Sequence, residues 1–104
     1  MRDNNRLVAV AAIMSPRTTE ADVLRAAQSR TVHEEVLRVV GRTRELHRSY
    51  AVKKALVANP RTPITFSMQF LTVLRPIDLK EIARSKGVAN ALARQAQRLM
   101  QRRR

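Results

Sequence analysis

The chain has 104 residues, no cysteine, no tryptophan, one tyrosine, two phenylalanines and a formal charge of +13 at neutral pH. This length holds one hydrophobic core, and the lack of cysteine excludes a disulfide framework and thiolate metal sites. The 21 basic side chains outnumber the eight acidic ones unevenly: residues 1–46 carry eight basic and six acidic groups, residues 47–104 thirteen and two.

In chain order, Asn5 is expected to cap a first helix whose inner face is Leu7, Val8, Ala11 and Ala12. Ser15-Pro16 closes it, because proline disfavours helical geometry in the residue before it. The apolar run is far shorter than a membrane span, so the chain reads as cytoplasmic, with no transmembrane segment. Thr19 with Asp22 has the capping-box pattern for a second helix, Glu20 to Ser29, with Val23, Leu24 and Ala27 inward. Thr31 with Glu34 repeats it for a third, where Val32, Val36, Val39 and Val40 form a stripe at helical spacing that Gly41 ends. Residues 43–48 read as a short polar turn.

Ser49 then caps a helix over Tyr50 to Ala58, with Val52, Ala55 and Leu56 inward and Lys53 and Lys54 in solvent. Thr62 is the expected cap, and Pro63 the first residue, of a run from Ile64 to Leu74 that is apolar on nearly every side and belongs in the middle of a bundle. Arg75-Pro76 restarts the chain. Ile77 to Lys86 presents Leu79, Ile82 and Ala83 and stops at Gly87. The last helix, Val88 to about Gln101, buries Val88, Leu92, Ala96 and Leu99, turns Arg94, Arg98 and Arg102 outward, and leaves residues 102–104 as a solvated basic tail. The expected core is Val8, Val23, Val36, Val40, Leu56, Phe66, Phe70, Ile82, Leu92 and Leu99.

The chain also matches itself. An offset of 44 lays Asn5 to Thr19 on Ser49 to Pro63, with Ser15-Pro16-Arg17-Thr18 on Asn59-Pro60-Arg61-Thr62. An offset of 56 lays Asp22-Val23 on Asp78-Leu79, Ser29-Arg30 on Ser85-Lys86 and Val36 on Leu92. The simplest account is two copies of a three-helix unit, residues 5–42 and 49–101, joined by the turn at 43–48, the second copy holding one inserted helix.

The Asn/Ser-Pro-Arg-Thr loop followed by a short apolar helix resembles bacterial HEAT-like and leucine-rich-repeat-variant helical repeats. More loosely, residues 49–101 are similar to the C-terminal end of larger uncharacterised bacterial proteins with such repeats. With the repeat pattern, the resemblance implies an all-α chain: a short right-handed α-solenoid of two unequal HEAT-like units with seven to eight helices in a single domain, serving as an interaction scaffold. The first helix is then either the continuation of a longer array or a surface that stacks on a partner.

No catalytic set emerges. His33 and His47 stand alone, without the companions a metal centre needs, and both glycines fall at expected helix ends instead of in a phosphate-cradling loop. No enzyme activity, cofactor or metal is expected. The functional signal is the basic residues. Arg17 and Arg61 occupy matching loop positions, as do Arg30 and Lys86, so stacking would line them up in rows, widened by Lys53, Lys54, Lys80, Arg84, Arg94 and Arg98. Such a face suits an acidic protein partner or a neighbouring acidic segment. The alternative is sequence-independent binding of a DNA or RNA backbone, weakened by the scarcity of aromatic residues for base stacking.

Overall fold

The computed structural model describes residues 3–102 and resolves these periodicities into seven α-helices, with no strand among the described residues. They are α1 (Asp3–Met14), α2 (Glu20–Gln28), α3 (Glu34–Arg42), α4 (Tyr50–Ala58), α5 (Ile64–Leu71), α6 (Pro76–Arg84) and α7 (Asn90–Arg102). None exceeds 13 residues. Helices so short are marginal alone in water, so each depends on burying a face against its neighbours.

Several start signals act through identifiable hydrogen bonds. The Asp22 N–H donates to Thr19 Oγ1 at 3.2 Å while the Thr19 N–H donates to the Asp22 carboxylate at 3.0 Å, closing the capping box of α2. Ser49 Oγ accepts from the Ala51 N–H at 3.1 Å, and Pro76 opens α6 where a missing amide is harmless.

Other boundaries differ from expectation. Asn5 lies inside α1. Thr31 does not cap α3, which starts after His33; its N–H donates instead to Ser29 Oγ at 3.2 Å within the loop. Thr62 is buried in a loop, and α5 starts after Pro63. Gly41 lies within α3 and does not end it. The Phe66 ring of α5 packs so close that a Cβ at Gly41 would stand 2.8 Å from it, so the glycine serves helix approach.

The helices form two layers. In the first, α2, α4 and α6 run parallel. Asn59, which caps the C-terminus of α4, donates through Nδ2 to the Ala27 and Ser29 carbonyls at the end of α2, at 2.8 and 2.7 Å. At the other end of α4, Tyr50 reaches Asp78 in the first turn of α6. Each first-layer helix returns through a five-residue loop (29–33, 59–63, 85–89) into α3, α5 or α7, which pack back against it, and α1 joins the second layer against α3. In all three loops the first side-chain oxygen accepts the third residue's N–H: Ser29 from Thr31 at 3.2 Å, Asn59 from Arg61 at 2.9 Å, Ser85 from Gly87 at 3.1 Å. The stack measures 47 × 25 × 17 Å, with α1 at one end and α6–α7 at the other.

Val23, Val36, Val40, Leu56, Phe70, Ile82, Leu92 and Leu99 are buried as expected, joined by Leu37, Leu71, Leu74 and Leu79. Each such side chain contributes about 1.5–3 kcal/mol by leaving water. Phe66 is half-buried, and Val8 is 67% exposed. The helix α1 ends the stack and turns Ile13, with Ala9 and Val10, inward in place of Leu7, Val8, Ala11 and Ala12.

The 56-residue offset lays the α2–α3 pair on the α6–α7 pair, and Val36 and Leu92 both face the interior. The 44-residue offset lays α1 on α4, which lie in different layers with different neighbours. What those two stretches share is a turn: Ser15 Oγ accepts the Arg17 N–H at 3.2 Å, as Asn59 does that of Arg61.

Candidate binding surface

Because the first-layer helices are parallel, their C-terminal loops share one edge of the stack, and that edge carries Arg30, Arg61 and Lys86. Two of these cations tie the loops together. Arg30 Nη1 donates to the Ala58 carbonyl at 3.2 Å and Arg61 Nε to the Val32 carbonyl at 2.8 Å. Carbonyls do not neutralise them, so their charge stays on an exposed edge. Arg17 is not in this row. It precedes the N-terminus of α2, about 13 Å of helix away from the 29–33 loop.

Lys53 and Lys54 separate. Lys54 Nζ lies 3.0 Å from Asp78 Oδ1 and 3.9 Å from Glu81 Oε1. Lys53 is half-buried on the side of α4 that carries Leu56 and Val57. Ala55 packs against the core as expected and, with Ala51 and Ala58, also floors an open groove against Leu24 and Gln28 of α2.

The contact that sequence reasoning missed is the tie between α4 and α6. Asp78 is only 7% exposed and accepts from the Tyr50 hydroxyl and from Lys54. The Tyr50 hydrogen bond, with Lys54 adding to it, holds the Asp78 carboxyl below the usual carboxylate range despite burial. The bond to Asp78 raises the Lys54 ammonium, and burial raises the Tyr50 phenol. Tyr50 also accepts the Arg75 N–H at 2.9 Å, and the Arg75 guanidinium lies 4.5 Å from the centre of its ring. The only sequence signal was an acidic residue in the first turn of an apolar helix.

The ion pairs lie on α2, on α3 and between α4 and α6, although Arg6, Arg17, Arg30, Arg44 and Arg48 in the same part of the chain have none among the described residues. Among the described residues Arg25 pairs with Asp22, Arg38 with Glu34 at 2.7 Å, Arg42 with Glu35 at 3.6 Å, and Lys54 with Asp78. No described cation beyond Lys54 has a carboxylate partner. Lys80, Arg84, Lys86, Arg94, Arg98 and Arg102 are all exposed, and all belong to the α6–α7 hairpin. The two carboxylates there, Asp78 and Glu81, are turned to Lys54, and helical geometry puts Lys80 on the opposite side of α6 from Asp78. On α7, Arg94, Arg98 and Arg102 follow one another about 6 Å apart in a row that starts opposite Leu92, Ala96 and Leu99 and winds slowly round the exposed side of the helix. Arg98 makes one local bond, to Gln95 Oε1 at 3.0 Å.

No described helix is long and apolar enough to cross a membrane. Comparison with family models, curated proteins and solved structures finds no match in any of the three.

Proposed function

We propose that this protein is a non-catalytic helical-repeat module that docks an acidic protein partner through the α6–α7 end and the adjoining loop edge. The observation that carries this reading is the sorting of charge. Arginines of α2 and α3 are answered by carboxylates on their own helices, whereas the cations of α6–α7 have no such partner among the described residues. An unanswered single-sign surface gains energy from an acidic partner and speeds the encounter with it. The resemblance to HEAT-like repeats agrees, since stacked helices present side chains from successive units on shared faces. Within this reading Lys80, Arg84, Lys86, Arg94 and Arg98 form the surface, and Arg30 and Arg61 extend it along the edge. Lys54 serves the fold, and Arg17 and Lys53 lie apart.

One observation favours a second reading, contact with a nucleic-acid backbone: the row of α7 arginines would track a line of phosphates. Against it, Tyr50 and Phe70 are occupied in packing and Phe66 covers Gly41, leaving no described tyrosine or phenylalanine free to stack on bases.

Fluorescence anisotropy with a glutamate-rich peptide and a random-sequence duplex separates the two. Protein docking predicts peptide binding that survives physiological salt while the duplex is held only at low salt; the reverse order favours nucleic acid. In either case Arg84→Glu with Arg94→Glu and Arg98→Glu weakens binding by at least about tenfold, roughly 1.4 kcal/mol. Binding untouched by that reversal, or absent at low salt, overturns both.

A further inference from the structure

The two ends of the stack are built differently. In the second layer α3, α5 and α7 are each backed by a first-layer helix, α2, α4 and α6, but among the described residues no first-layer helix stands beside α1. The result is an open groove between α1 and α2, about 340 Å³, lined mainly by Ala9, Ala12, Ile13, Ala26, Val32 and Val36. Next to it α1 turns apolar side chains outward: Leu7 is 59% exposed, Val8 67% and Met14 54%. From Met14 through Leu7, Ala11 and Val8 to Ala12 this surface covers nearly half the circumference of the helix, and no residue of α1 after Arg6 is charged. A stack normally ends in a polar cap, as α6–α7 does; this end has none among the described residues.

We propose that the chain forms a two-fold symmetric dimer in which α1 of each copy lies in the α1–α2 groove of the other, supplying the first-layer helix that position lacks. The surface is self-complementary, as an isologous contact requires. Val8, beside Ala12 on the helix surface, borders a groove whose Ala9, Ala12 and Ala26 leave room for it, so each copy offers both a projecting and a receiving side, while Leu7 and Met14 lie further round α1. Charge favours this orientation. The near-balanced half of the chain meets its twin, while the α6–α7 ends, with six basic side chains against two acidic over residues 76–102, point away at opposite extremes of two bodies each 47 Å long. A helix of 12 residues is about 18 Å long and about 10 Å wide. With its groove it can bury about 1,000 Å² over both copies, the lower limit for a specific dimer, so association should be micromolar and concentration-dependent.

Sedimentation velocity on the whole chain, from a few micromolar to several hundred micromolar, tests this. The 11.8 kDa monomer should pass to a species of twice that mass as concentration rises. Added salt should favour the dimer by screening like charge. Val8→Glu and Ala12→Glu, at the edge of the groove, should each hold the chain monomeric and, at a concentration low enough for both proteins to be monomers, leave thermal unfolding by circular dichroism unchanged, because both side chains are exposed. Arg98→Glu, at the far end, should leave the dimer intact. A monomer at every concentration, or a dimer that survives both α1 substitutions, overturns the proposal and gives this face to another occupant.

Discussion

Asp78 joins three chemistries at one atom group: a phenol donates to it, an ammonium faces it, and the backbone it belongs to starts a helix. Its pH signature follows in sign. Because the carboxyl is held below the usual range, ionised Asp78 contributes its full stabilisation above an unfolded carboxylate value of about 4, and loses it as pH falls through the lowered folded value. Asp78→Asn should therefore lower the unfolding free energy at neutral pH by about 2 kcal/mol. The gap to the unsubstituted chain should close below about pH 4, as measured by urea unfolding across the acid limb. A gap constant in pH would contradict the assignment. Asn59 is a second single residue with several roles. It is 3% exposed, both of its bonds to α2 come from one amide nitrogen, and its oxygen holds its own loop.

At the scale of elements, the three loops that close the hairpins are the same object with different residues. Their fourth positions are Val32, Thr62 and Val88, of which Thr62 and Val88 are buried and Val32 packs against the core. Thr62 Oγ1 is buried with no hydrogen-bond partner among the described residues. An orphaned buried hydroxyl costs about 1–3 kcal/mol, and the other two loops hold valine at this position. Thr62→Val should accordingly stabilise the fold by about 1 kcal/mol, seen as a higher urea midpoint with an unchanged slope; a destabilised variant would mean that the loops are not equivalent. Elements were the most legible level of the sequence where the signal was local. The Thr19/Asp22 box, the Ser49 cap and the prolines after Ser15 and Arg75 need only residues within one turn. The misreadings depended on partners distant in sequence. Gly41 carries the mark of a helix terminator, and only the Phe66 ring, 25 residues on, shows why a glycine stands there. The apolar α1 has no direction of its own; which side is buried depends on α3, and so its sequence pattern alone puts Val8 in the core, where the fold leaves it exposed.

For the whole molecule, self-similarity was legible and its period was not. The offset of 56 spans two hairpins and carried real equivalence, as Val36 and Leu92 show. The offset of 44 matched turns with the same hydrogen bond but on helices of different layers, and with it went the expected row of Arg17 and Arg61. Layer membership is set by which helix a chain returns to, and short turn motifs do not encode that. The concentration of charge after residue 46 could be read directly. Its organisation could not, because which arginines find carboxylates depends on helix faces: Arg38 meets Glu34 one turn back, whereas Lys80 and Asp78 fall on opposite sides of α6. The proposed landing place of an acidic partner is the set of unanswered cations on α6–α7. The most direct measurement is a titration of the isotope-labelled chain with a glutamate-rich peptide, followed by amide chemical shifts. The largest changes are expected at Lys80, Arg84, Lys86, Arg94 and Arg98, with smaller ones at Arg30 and Arg61. Changes centred on α1 to α3, or spread evenly over every basic residue, would contradict it.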